Sequence, residues 1–237
     1  MTSAIGRRQM VRLASGLVAA GGMAPLIAPS LAIAGEKAKQ EEKMEDVTPP
    51  EDLMREHGLL NRLLLIYEAA MQKFASNESF DPSILSKSAQ IIRDFIENYH
   101  EINEENHLFP RFRKAGKLVQ LVDVLFQQHM AGRRVTETIL RLAPASAAPG
   151  EERAQTIAAM QAFIRMYRPH EAREDTVLFP ALRSVVSANE FDAMGEDFEK
   201  DEQRKFGQDG FEKAVSQVAS LEEAIGIHDL AKFTPAG

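Results

Sequence analysis

Apolar residues recur every three or four positions through long stretches of the chain after residue 50, the period of a helix with one buried face. Leu60, Leu64, Tyr67 and Met71 share such a face with His57 over roughly 51–76, starting just after Pro49-Pro50. A polar turn at Ser76 to Ser79 follows. Asp81-Pro82 then sets a capping residue before a proline, opening a helix of about 81–114 with Leu85, Ile92, Phe95, Ile96 and Tyr99, which Gly116 closes. A third helix of about 117–143 carries Leu118, Val122, Leu125, His129, Val135 and Leu140. Ala143 to Gly150 is a loop by its Pro and Gly content. A fourth helix spans about 151–184, with Pro169 predicting a kink, and two shorter ones cover about 188–206 and 209–225. The tail around Phe233 to Pro235 is irregular. No stretch alternates with period two, so the pattern predicts an all-α fold. We expect an antiparallel up-down four-helix bundle over 51–184, capped by a helical extension over 185–237.

The first 34 residues break this pattern. Gly6-Arg7-Arg8-Gln9-Met10-Val11 is a twin-arginine pair before an apolar residue. Leu13 to Ala34 is uncharged and ends in Ala32-Ile33-Ala34, a small-x-small cleavage signal. The segment resembles a bacterial twin-arginine (Tat) leader. An ordinary secretory signal or an uncleaved anchor are the alternatives, since the stretch is just long enough to span a bilayer. We expect a periplasmic location or export via the Tat pathway, and no membrane contact for the mature chain, with 35–50 as a flexible lead-in rich in Lys and Glu.

Composition narrows the chemistry. Of 237 residues, none is Cys, which excludes disulfides, thiolate metal sites, iron–sulfur clusters and a thiol nucleophile. Any metal must be held by nitrogen and oxygen. The formal net charge of −7 argues against nucleic acid as a partner. The oligomeric state is not legible.

Two stretches are copies of one another. His100 to Pro110 aligns with His170 to Pro180; each sets a His four residues before a Glu and ends in Leu-Phe-Pro. On a helix, His100 and Glu104, and likewise His170 and Glu174, project from one face. Four of the six histidines fall one per long helix, at His57, His100, His129 and His170, among core-face residues. Buried carboxylates are costly unless paired or metal-bound, and two bridging glutamates between two cations would supply that compensation. The alignment sets His107 against Val177, which marks His107 as a packing residue rather than a ligand. Glu101 and Glu171 lie about 100° around the helix from the neighbouring histidines, which points to a solvated face, with ligation at the rim of the site as the alternative; Glu105 and Asp175 read as solvated too. The Leu-Phe-Pro endings read as core packing, and His228 has no assigned role.

These residues resemble the hemerythrin-like (HHE cation-binding) family over about residues 50–183. The resemblance implies a bundle holding two iron ions, with manganese as the alternative. It implies terminal ligands His57, His100, His129 and His170, and bridging carboxylates Glu104 and Glu174. Oxygen-carrying hemerythrins have a further His where this chain has Arg133, and a bridging Asp that would match Asp175; a variant of the family that ligates through a Glu beside the second-helix His brings in Glu101. Two six-coordinate metals need about twelve positions, and these residues with a bridging oxygen leave about two open. A small ligand such as O2, peroxide or NO is the expected partner. The implied function is binding of O2 or a related ligand; a di-iron oxidase or peroxidase-like enzyme, or a sensing module, are the alternatives. Arg133 would either stabilise a bound anion or pair with a surface Glu.

Overall fold

The computed structural model describes residues 47–235; the segment expected to be a leader and most of the expected lead-in lie outside them. Every regular element among the described residues is helical. Helix α1 (Pro49–Ser76) takes in the two prolines, because proline is pre-organised for the first turn. Glu51 accepts hydrogen bonds from the Thr48 backbone N–H and hydroxyl, both at 2.8 Å, and Asn77 ends the helix in the left-handed region. Helix α2 covers 83–115. It opens two residues later than the Asp81-Pro82 signal predicts, with the Asp81 carboxylate accepting from the Ser83 N–H. Gly116, at φ 66°, closes it. Helix α3 (Val119–Leu142) begins after Leu118, which takes a left-handed φ of 53° instead of joining the helix. Helix α4 covers 151–181 and continues through Pro169. Helices α5 (Ala188–Phe206) and α6 (Gly210–Ile225) follow, α5 starting on a Ser187–Glu190 capping box, and a short 3-10 turn at Leu230–Phe233 interrupts the otherwise irregular tail. None of these helices is long and apolar enough to cross a membrane.

The helices form a bundle with two apolar clusters. One gathers Leu63, Leu64, Tyr67, Ile92, Phe95, Ile96, Ile139, Met160 and Phe163, with Val218 and Leu221 of α6. The other gathers Leu53, Leu108, Phe109, Phe112, Val122, Leu125, Leu178, Phe179 and Leu182, with Phe191, Met194 and Phe198 of α5. Burying each such side chain contributes about 1.5–3 kcal/mol. Each long helix passes from one cluster to the other, and in every case the histidine lies between them. Helices α1 and α3 meet the Leu53 cluster first; α2 and α4 meet it last. Arg62 clamps α1 to α6 through two hydrogen bonds to the Glu222 carboxylate, at 2.8 and 2.6 Å.

Two wide turns interrupt the regular helices where the repeated motif lies. Glu104–Leu108 in α2 and Glu174–Leu178 in α4 are π-helical, and each is followed at once by Phe-Pro. Pro110 and Pro180 have no N–H to return to the carbonyl four residues back, and their rings crowd that turn, so a wider turn relieves both effects. A further π segment, Ile92–His100, precedes the first motif.

Candidate metal centre

The bundle brings six side chains into one buried layer: His57 from α1, His100 and Glu104 from α2, His129 from α3, His170 and Glu174 from α4. None is more than 3% exposed. Glu104, His129, His170 and Glu174 offer ligand atoms all within 4.8 Å of one another, and so do His57, His100 and Glu104. Each glutamate faces one histidine of each pair. Glu104 Oε2 lies 3.7 Å from His100 Nε2 and 3.4 Å from His129 Nε2. Glu174 Oε2 lies 3.1 Å from His170 Nε2 and 3.4 Å from His57 Nε2. The His57 and His100 Nε2 atoms approach to 3.1 Å.

Outside this layer each imidazole is held by its other nitrogen. His57 Nδ1 meets Asp175 at 2.7 Å, His100 Nδ1 meets Glu56 at 2.8 Å, His129 Nδ1 meets Glu105 at 3.0 Å, and His170 Nδ1 meets Gln128 at 2.9 Å. An acceptor at Nδ1 leaves the Nε2 lone pair directed inward, the tautomer a metal requires. Phe179 stacks on the His57 ring and Phe109 on His129, with centroids 5.5 and 5.4 Å apart. The Leu-Phe-Pro endings therefore pack on the imidazoles themselves, fixing ring planes and excluding water.

Several neighbours depart from the solvated face that the helical period predicts. Glu101 and Glu171 are buried; Glu105 and Asp175 spend their carboxylates on His129 and His57. At this layer a side chain 100° from the inward-facing histidine reaches the adjacent helix rather than water. Glu101 accepts from the Tyr167 hydroxyl and lies 2.8 Å from the Arg133 guanidinium, which also binds Glu105 at 2.6 Å. Arg133 thus pairs with glutamate, as one of its two expected arrangements has it, but with a buried and a partly buried one rather than at the surface. Asn61 donates to Glu171 at 2.7 Å. Room for Tyr167 comes from Gly132, where an added Cβ would sit 2.2 Å from the phenol oxygen. The buried face of α3 accordingly runs Val122, Leu125, His129, Gly132, Thr136 and Ile139, with Val135 and Leu140 at its flank. His107 lies outside the centre, its ring edge-on to Phe198 of α5. His228 is exposed in the tail.

The electrostatics of the layer call for positive charge. Burial opposes protonation of His57, yet Asp175 and Glu174 raise its pKa well above the ordinary value. Burial likewise opposes His129, which Glu101, Glu104 and Glu105 raise. Burial and the charge on His57 hold His100 well below. Burial and the Glu174 charge push Glu104 up to about 8, whereas His170 and His57 outweigh burial to hold Glu174 low. The carboxylates thus favour positive charge in this layer, the charge that a bound cation would supply. None of the four oxygens of Glu104 and Glu174 accepts a well-formed hydrogen bond, nor does His129 Nε2 make one, although all are buried. Buried atoms so oriented fit cations held by nitrogen and oxygen donors.

A helical bundle with a buried layer of histidines and carboxylates defines a class of metal-binding protein. The Hemerythrin HHE cation binding domain model matches residues 48–182, and again residues 120–225. The chain belongs to that family. It is 44% identical, over 99% of its length and 92% of theirs, to uncharacterised proteins of Mycobacterium tuberculosis and Mycobacterium bovis. No solved structure matches it significantly.

The spacing of the sequence pointed to the six inner residues. It missed Glu56 and Gln128, although each directly precedes a histidine of α1 or α3. It also misplaced Glu105 and Asp175, although each follows a repeated Glu.

Proposed function

We propose that the chain is an exported, carboxylate-bridged di-iron protein that binds O2 or a related small ligand. His57, His100, His129 and His170 would be terminal ligands, and Glu104 and Glu174 would bridge. The observation that carries this reading is that each glutamate faces one histidine of each pair while its own oxygens lack hydrogen-bond donors. Asp175, held by His57 Nδ1, is better placed to orient that ring than to bridge. An antiparallel up-down course of the four long helices is supported by the alternating order in which they meet the two apolar clusters.

When bound, the metal pair supplies redox chemistry and open coordination positions. The chain's own residues do the rest. Asp175, Glu56, Glu105 and Gln128 fix the imidazole tautomers, and Phe109 and Phe179 keep water from the rings. Iron is the metal the family implies, with manganese the alternative within a nitrogen and oxygen donor set. Tat-dependent export would let the protein load its metal in the cytoplasm, away from competing copper and zinc. Fractionation should find the chain outside the cytoplasm, in the periplasm or the exported fraction; retention in the cytoplasm would contradict the leader assignment.

The functional test is an optical spectrum of the metallated protein recorded anaerobically, in air, and after oxygen is removed. A reversible change marks ligand binding. Sustained consumption of O2 or peroxide would mark an enzyme instead. Zinc as the native metal would overturn the di-iron assignment.

A further inference from the structure

The internal repeat makes the two halves of the centre comparable position by position. His57 matches His129, His100 matches His170 and Glu104 matches Glu174. The outer partners match too. Asp175 and Glu105 each follow a shared glutamate, and Glu56 and Gln128 each precede the histidine of the odd-numbered helix. The match in charge fails at one pair. His100 Nδ1 faces a buried carboxylate, Glu56, at 2.8 Å; His170 Nδ1 faces an amide oxygen, Gln128, at 2.9 Å. A second difference falls on the same half. Glu105, the partner of His129, is drawn by the Arg133 guanidinium at 2.6 Å. The residue matching Arg133 is Asn61, which is neutral and binds Glu171.

An imidazole that donates Nδ1–H to a carboxylate gains electron density at Nε2 and becomes a stronger ligand; an amide acceptor does this less. Both histidines of the His57–His100 pair have carboxylate partners. In the His129–His170 pair, one partner is neutral and the other is partly neutralised by arginine. We infer that the two metal positions are unequal: the His57–His100 position binds a divalent cation more tightly and fills first, and the His129–His170 position is the weaker, exchangeable one. Glu56 and Gln128 are the positioning residues that set the difference. This inference rests on reading the layer as a two-metal centre.

The test is a Co²⁺ titration of the full chain after chelation, followed by visible absorbance and equilibrium dialysis. The native chain should show two steps separated by about tenfold or more in affinity. Glu56→Gln keeps the side-chain shape and should weaken the first step by roughly 10- to 100-fold, the scale of such outer partners, and spare the second. Gln128→Glu should strengthen the second step. Two ions of equal affinity in the native chain would overturn the inequality. So would a Glu56→Gln change that weakens only the second step or neither; both results leave the two-metal centre standing. A total of one ion or none would overturn the two-metal reading itself.

Discussion

At the scale of residues, the six side chains gathered in the buried layer show how far a repeated spacing carries. His100, Glu104, His170 and Glu174 were legible because the motif occurs twice, and His57 and His129 because each long helix carries one histidine on its apolar face. Their surroundings were not legible. The helical period says where a side chain leaves its own axis, not what the next helix offers there. Glu101 thus became a buried partner of Tyr167 and Arg133 instead of a solvated acid. Gly132 belongs to the same set. Its missing Cβ makes space for the Tyr167 phenol, so Gly132→Ala should overpack this point and destabilise the protein by about 1–3 kcal/mol in denaturant unfolding. Unchanged stability would mean that Tyr167 moves aside without cost.

At the scale of elements, helix ends were readable within two or three residues where prolines, a cap or a glycine mark them: Pro49-Pro50, Asp81-Pro82 and Gly116. The π turns were not readable, since widening depends on which carbonyl a backbone N–H reaches. The trace in the sequence of the two at the repeated motif is the proline that follows each; Ile92–His100 leaves none. Pro180 withholds an N–H from the turn that presents Glu174. Pro180→Ala should let this turn tighten toward α geometry, re-aim Glu174, and weaken metal binding by roughly tenfold, with overall helicity retained. Metal titration beside circular dichroism measures this, and unchanged affinity would show that the wide turn is held by tertiary packing instead. Leu118 illustrates the opposite failure: its hydrophobicity placed it in α3, but the tight passage from Gly116 requires a left-handed residue there.

At the scale of the whole molecule, the polar layer lies between two apolar clusters, and each cluster is completed by a C-terminal helix: α5 adds Phe191, Met194 and Phe198 to one, and α6 adds Val218 and Leu221 to the other. The extension was legible as helical from its period, but its division between the two clusters depends on long-range packing that no local pattern records. With dry packing on both sides, the carboxylates of Glu104 and Glu174 are costly to bury without a cation between them. The central claim is that these two glutamates are shared by two metal ions. Its most direct test is the metal-to-chain ratio of the purified native protein and of Glu104→Ala, determined by elemental analysis. The account predicts two ions per native chain and loss of binuclear loading in the variant. A native ratio of one or less, or two ions retained in Glu104→Ala, would contradict it.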